Sequence, residues 1–387
     1  MKIGYTKGNY PEQRCVLGKV PDSTYQKIGN PIFIRLLAKI ERKLSRKQLS
    51  FFDFFHVEKR APDIDCFHFF NDVSNTRKPW VSTFESMIPR ENFYLDAKHS
   101  RNKDGSLRHS RLVRYKLGLI ARDNCKKIIA LSQCNMRMQL RMLESYPELR
   151  EAIVRKMEVI PPPQSLISGC AEKPDDGIVR FTFVGRQFFQ KGGYEILEAF
   201  ARLESEGITG FELTLIGDLC ETWNHAHRGV QDRKETALRA QALISNSHRI
   251  THKTKLPNAE VIELLRRTHV GLLPTWADTY GYSVLEFQAA GCPVITTNVR
   301  ALPEINNGSV GWVVDLPLNE SNELDVNSET VKKKLRDGII DGIYRAARDA
   351  IEHPEALRER GQRCIERVAS EHSPAVYADQ LSRLYAS

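Results

Sequence analysis

The sequence predicts an α/β protein made of two doubly wound parallel sheets, and three observations point there. Short apolar runs alternate with helix-patterned stretches through both halves of the chain, the spacing that sets parallel strands between crossover helices. At 387 residues the chain is longer than one core sustains, because single domains stop growing near ~250–300 residues. Pro161-Pro162-Pro163 interrupts the pattern midway. Three prolines cannot continue a sheet and make a stiff, extended connector. The expected division is 1–163 and 164–370, two Rossmann-like domains, with 371–387 as a last helix.

In the first half, Lys2-Ile3-Gly4-Tyr5 opens a strand and Asp65 to Phe70 forms a buried one, followed by Pro79 to Phe84. A basic helix around 107–124 leads to strand Lys127 to Ser132, and Met157 to Ile160 closes the series. In the second half, Val179 to Val184 is a strand stopped by Gly185. The segment 192–204 is helical, with Ile196, Leu197, Phe200 and Leu203 on one face. Strand Phe211 to Ile216 ends at Gly217-Asp218, and 219–250 is polar, a helix plus loop. Helix 258–268 precedes strand Val270 to Leu273, which Pro274 ends. A short helix over 283–290 is closed by Gly291 before strand Pro293 to Thr297. In sheets of this kind a ligand sits at the C-terminal strand ends.

The net charge of +9 divides unevenly. Residues 1–170 hold 31 basic and 17 acidic side chains, and the remainder 26 and 31. Two surfaces with different tasks are therefore expected. No run reaches the ~18–20 apolar residues of a membrane span, and the first residues lack the apolar core of a signal peptide. The chain is expected in the cytoplasm, with its eight cysteines reduced. No zinc-type cysteine spacing is present. Asp63-Ile64-Asp65 has a metal-binding form but introduces a strand, and His225-Ala226-His227 does not share a helical face.

Two stretches carry chemistry. From Leu272 to Glu304, a loop holding Asp278 leads through Gly281 into a helix, so the amides of Tyr280, Gly281 and Tyr282 would point at an anion. Glu286 lies one turn in, either as a functional carboxylate or as the second half of a capping box with Ser283. In the other stretch, Gly185-Arg186 ends a strand and Lys191 follows at the next helix start. A planar fork and a point charge there suit a diphosphate, and the plain alternative is two solvated surface cations.

Together the stretches resemble retaining GT-B glycosyltransferases of family 4, also called glycosyl transferases group 1. That family's Gly-Arg-x4-Lys-Gly segment reads here Gly185-Arg186-(x4)-Lys191-Gly192. Its acidic-x7-Glu motif matches Asp278-x7-Glu286, followed by Ala289-Ala290-Gly291-Cys292-Pro293-Val294-Ile295, and Glu304 matches the next acidic position. The stretch from Ser373 to Tyr385 looks like the family's last helix, which crosses back to the first domain. The likeness is strong over 178–312. It implies that Arg186 and Lys191 hold the diphosphate of a UDP- or GDP-sugar donor. Glu286 would bind the ribose and Asp278 the sugar hydroxyls, with amides near Gly281 helping. It implies no cofactor and no metal ion. The family's usual first acid is Glu, and Asp278 is shorter.

On the acceptor side, Glu85 stands where many relatives carry a histidine, and His68 fits another frequent family position. Each is expected either at the acceptor or in a structural role, as a cap or a buried histidine. A family Gly-Gly loop near the N-terminus is missing, with only Gly4 and Gly8 nearby. The helix over 32–47 sets Phe33, Leu36, Leu37, Ile40 and Leu44 opposite Arg35, Lys39, Arg42 and Arg46, with Lys43 and Lys47 at the flank. It reads as a surface helix or as an interfacial helix on an anionic membrane, with Phe51, Phe52, Phe54 and Phe55 following. A second basic region carries Lys98, Arg101, Lys103, Arg108, Arg111, Arg114, Lys116 and Arg122. The expected acceptor is a glycan or glycolipid, in bacterial surface polysaccharide or lipopolysaccharide synthesis at the inner face of the membrane. No RNA- or DNA-binding motif accompanies the charge, which disfavours nucleic acid. Two other readings share the architecture: a non-catalytic protein binding anionic lipid or nucleic acid, and a nucleotide-sugar epimerase.

Overall fold

The computed structural model describes residues 1–29, 32–45, 50–53, 56–91, 109–167, 173–227 and 229–386. The chain divides into two compact units, Met1–Pro163 with His372–Ser387, and Gln164–Glu371.

The first unit holds β1 (Lys2–Tyr5), β2 (Thr24–Lys27), β3 (Cys66–Phe70), β4 (Trp80–Phe84), β5 (Cys125–Ala130) and β6 (Met157–Val159). All pair in parallel, in the order β2-β1-β3-β4-β5-β6. Every residue of β3 and β4 is buried, as expected of strands covered on both faces, which read as unbroken apolar runs. The helices are α1 (Tyr10–Cys15), α2 (Ile32–Ser45), α3 (Arg111–Ala121), α4 (Gln133–Leu143) and α5 (Pro147–Val154). The basic helix is thus shorter than the charge pattern suggests. Its N-cap is Ser110, whose hydroxyl accepts from the Val113 amide.

The second unit repeats the plan with β7 (Val179–Gln187), β8 (Phe211–Asp218), β9 (Ile250–Lys253), β10 (Val270–Leu273), β11 (Val294–Thr297) and β12 (Gly311–Val314). These also pair in parallel, in the order β12-β11-β10-β7-β8-β9. Its helices are α6 (Gly193–Ser205), α7 (Lys234–Asn246), α8 (Asn258–Arg267), α9 (Tyr282–Ala289), α10 (Leu302–Ile305), α11 (Glu329–Glu352) and α12 (Glu355–Glu371). Ile196, Leu197, Phe200 and Leu203 of α6 are fully buried. The Phe200 ring meets Phe181 and Phe211 edge-on, at 4.9 Å each, a favoured aromatic geometry.

The last helix, α13 (Pro374–Ala386), belongs to the first unit. Tyr377, Leu381 and Tyr385 pack with Ile3, Cys66, Val81, Ile129 and Ile160. The Tyr377 hydroxyl donates to the Cys15 carbonyl at 2.8 Å, and His372 Nδ1 lies 2.9 Å from the Pro162 carbonyl beside the proline connector. The seven cysteines among the described residues form no disulfide, and Cys170 lies outside those residues.

Candidate active site

In the second sheet β7 and β10 are neighbours although β8 and β9 intervene in sequence. The winding direction reverses between them. Such a switch point leaves a crevice beyond the C-terminal strand ends, where ligands bind in open α/β sheets. Gly185 and Arg186 lie at that end of β7, and residues 274–278 follow β10.

Backbone constraints bring the two segments together. Gly192 caps α6 with φ 86°, a left-handed conformation that glycine adopts without steric cost. A Cβ there would stand 2.2 Å from the Pro274 carbonyl oxygen, so only glycine lets the turn after β7 close on the end of β10. The Trp276 amide and the Thr275 hydroxyl donate to the Gln190 carbonyl at 2.9 and 3.1 Å. Lys191, whose stem packs against Gly185, then reaches Asp278 Oδ2 at 2.7 Å and the Ala277 carbonyl at 3.2 Å. Asp278 Oδ1 accepts the Thr279 and Tyr280 amides at 2.7 and 3.3 Å, which fixes the carboxylate's orientation. Arg186 is exposed beside this pair of segments.

Gly281, not Ser283, caps α9, with φ 95° and no side-chain cap bond. The capping box of Ser283 and Glu286 therefore does not form, because Ser283 already lies inside the helix. A Cβ on Gly281 would meet Leu302 Cδ2 at 2.6 Å. Tyr282 opens the helix and Glu286 is half-buried one turn in. The Tyr280 amide is spent on Asp278, so the anion-facing amide set is smaller than the sequence suggests.

A buried charge network stands behind the Asp278 loop, and residue spacing gave no sign of it. Trp276 is buried and meets the His227 ring edge-on at 4.5 Å. The Arg336 guanidinium lies 5.8 Å from the Trp276 ring and pairs with Glu195 and Asp232, each at 2.8 Å. Burial lowers His227 to about 4 despite the Asp232 carboxylate, and burial also raises Glu195 against the pull of Arg336. The partners come from α6, α11, His227 and Asp232, so no short motif signals them.

In the first unit the reversal falls between β1 and β3. Lys7 follows β1 and Asp72 follows β3, and they pair at 2.8 Å. Burial pushes the Asp72 carboxyl up to about 6, with Lys7 opposing. The β1–α1 loop is closed by its own acid: Glu12 accepts the amides of Lys7, Gly8 and Asn9. Neither Lys7 nor Asp72 belongs to a motif, and the strand-end rule is the one sequence signal that reaches them.

The two acceptor-side candidates lie in different surroundings. His68 is fully buried, with Nδ1 2.6 Å from the Tyr385 hydroxyl and Nε2 2.8 Å from Thr83 Oγ1. Burial depresses it to about 3, so it is a neutral histidine joining α13 to the sheet and not an acceptor contact. Glu85, just past β4, accepts from Asn71 Nδ2 at 3.2 Å and faces Arg90 at 3.8 Å. Asn71 holds φ 58° and also accepts the Glu85 amide. Glu85 is thus a fixed strand-end carboxylate near the Lys7–Asp72 pair's β3 anchor.

Asp63 and Asp65 are both bound by Lys2, through its ammonium and its amide. No group of three or more His, Cys, Asp or Glu placed to hold a metal ion occurs among the described residues. No described helix is long and apolar enough to cross a membrane.

Comparison with known proteins adds a family match over part of the chain. Residues 171–339 match the model described as glycosyl transferases group 1. The glycogen synthase of Mycobacterium tuberculosis (strain CDC 1551 / Oshkosh) is 26% identical over 217 residues, 56% of this chain and 44% of that protein. The capsular polysaccharide biosynthesis glycosyltransferase CapM of Staphylococcus aureus is 27% identical over 205 residues, 52% of this chain and 44% of that protein. The chain thus spans less than half the length of these curated relatives. Among solved structures, Anabaena Alr3699/HepE in complex with UDP and glucose superposes with TM-score 0.60 at 13% identity, covering 100% of both chains. WaaG, a glycosyltransferase involved in lipopolysaccharide biosynthesis, superposes with TM-score 0.58 at 13% identity, covering 98% of this chain and 99% of WaaG. The two six-stranded parallel sheets are those of the GT-B fold, and within the second unit residues 171–339 are similar to glycosyl transferases group 1.

Proposed function

We propose that the chain transfers a sugar from a UDP- or GDP-sugar to a glycan or glycolipid acceptor with retention of anomeric configuration. The observation that carries this is the second unit's switch point, where Arg186, Lys191, Asp278, Gly281 and Glu286 sit on the ends of β7 and β10 and the start of α9. All lie inside the matched family segment.

Each residue has a physical task in this reading. Transfer leaves a diphosphate whose negative charge grows as the glycosidic bond breaks. Arg186 supplies a fork and Lys191 a point charge for it, and preorganised charge of this kind costs no reorganisation during reaction. The amides at the start of α9 add partial positive charge. Glu286 accepts hydrogen bonds from ribose hydroxyls, and Asp278, already oriented by two amides, accepts from the donor sugar. The leaving phosphate takes the acceptor proton, so a strong protein base is not required. The first unit binds the acceptor at its own strand ends, where Lys7, Asp72 and Glu85 offer a cation and two carboxylates to sugar hydroxyls.

CapM and WaaG carry surface-polymer descriptions, which favours a role in bacterial surface polysaccharide synthesis over storage glucan. Titration calorimetry with UDP and GDP tests the donor site. One of them should bind the wild type and bind Lys191→Ala and Glu286→Ala at least about tenfold more weakly. Equal binding by all three proteins rejects the assignment.

A further inference from the structure

α2 carries its largest apolar side chains outward. Ile34 and Ala38 are buried, yet Ile32, Phe33, Leu36, Ile40 and Leu44 are 77, 63, 55, 46 and 81% exposed. At 3.6 residues per turn these five fall on one side of the helix, beside the buried stripe and not within it. An apolar surface of this extent on a polar protein marks an interaction site. Arg35, Lys39 and Lys43 are exposed along the stripe's other border.

The surface is held in place. Glu41 accepts from the Ser50 hydroxyl and from the Phe51 amide. Arg42 pairs with Asp53, whose carboxylate also accepts the Ser50 amide at 2.9 Å. Buried Lys116 of α3 reaches the Asp53 carbonyl at 3.4 Å. Phe51, 42% exposed, is thereby tied to α2 and adds a ring that leans on Tyr115 at 5.2 Å. Arg42, placed by the sequence pattern on the basic face, is committed to this tether. Arg46, Lys47, Phe54 and Phe55, with Lys98, Arg101, Lys103 and Arg108, lie outside the described residues.

We propose that this face of α2, with Phe51, is a docking surface for an anionic lipid membrane. The apolar stripe enters the boundary between headgroups and acyl chains while Arg35, Lys39 and Lys43 meet the anionic headgroups at its edge. Charge argues for lipid over a second copy of the chain. A two-fold interface through the stripe would bring the same three cations of each copy toward one another.

The test is co-sedimentation of the full chain with phosphatidylcholine vesicles and with vesicles also containing phosphatidylglycerol. Binding should require phosphatidylglycerol and fall at about 1 M salt, where the Debye length is ~3 Å. The variant Ile40→Ser with Leu44→Ser should lower partitioning at least about tenfold. Arg35→Ser with Lys39→Ser and Lys43→Ser should lower it on anionic vesicles. Circular dichroism and the melting temperature should match the wild type, because these side chains are exposed. Absence of binding, or binding that neither variant changes, overturns the proposal. So does a concentration-dependent dimer in sedimentation velocity that Ile40→Ser with Leu44→Ser abolishes, which would give the face to a second copy.

Discussion

The Lys191 ammonium lies 2.7 Å from the Asp278 carboxylate, across 87 residues of sequence. Both side chains are mostly shielded, at 18 and 14% exposure. A diphosphate drawn to Lys191 and a sugar drawn to Asp278 would therefore meet two groups already oriented by one another. Lys191→Ala should weaken nucleoside diphosphate binding about 10- to 100-fold, as expected for a lost charge-assisted bond. Asp278→Asn should leave that binding intact or tighter while slowing transfer. A double-mutant cycle on binding should give a coupling of about 0.5–3 kcal/mol, and zero coupling would separate the two residues.

Gly192 and Gly281 are where one added methyl group should do most harm. Both hold positive φ, 86° and 95°, and at both a Cβ would collide with the neighbouring segment. Gly192→Ala should cost about 2 kcal/mol or more and push Lys191 away from Asp278. Thermal unfolding and nucleotide calorimetry should fall together. A stable Gly192→Ala protein with normal affinity would contradict the close approach to Pro274.

Acid should expose the structural role of His68. Burial holds its pKa near 3 against an ordinary 6.5, so the folded protein binds fewer protons than the unfolded one between those values. Its contribution to stability is complete above pH 6.5 and is lost as pH falls toward 3. Asp72, raised to about 6, has the opposite sign: it is harder to ionise when folded, and stability falls as pH rises from about 4 through 6. The destabilisation caused by His68→Gln should thus shrink between pH 6.5 and 4 by about 1.4 kcal/mol per pH unit. Urea unfolding across this range checks it, and a constant difference would place His68 in contact with water.

Arg336 tests whether the network behind Trp276 shapes the site. Arg336→Ala leaves Glu195 and Asp232 buried without their cation. Breaking such a pair from one side costs about 3–5 kcal/mol. Arg336→Lys should recover part of this, and nucleotide affinity should track stability, because Trp276 adjoins the Asp278 loop. Loss of stability with unchanged affinity would make the network purely structural.

The sequence announced the central strands and missed β2, β9 and β12. All three are edge strands, and β2 and β9 carry polar residues with at most one buried position. An edge strand has one sheet neighbour and needs no unbroken apolar run, so periodicity does not mark it. The meeting of Lys191 with Asp278 was legible because glycines, cations and acids cluster at the ends of two adjacent strands. His68 stayed open between two readings for a physical reason: its partner Tyr385 lies 317 residues away, and nothing local distinguishes a buried imidazole from a ligand-facing one. The Glu286 capping box failed because Gly281 starts α9 earlier than the serine pattern implies.

The central claim is sugar transfer from a nucleotide diphosphate donor through the switch point of the second sheet. Incubating the wild type, Lys191→Ala and Glu286→Ala with a panel of UDP- and GDP-sugars and following nucleoside diphosphate release tests it most directly. The account predicts release from one donor by the wild type and a loss of about 100-fold or more in both variants. Release at equal rates in all three proteins, or none from any donor with no nucleotide bound, would contradict it.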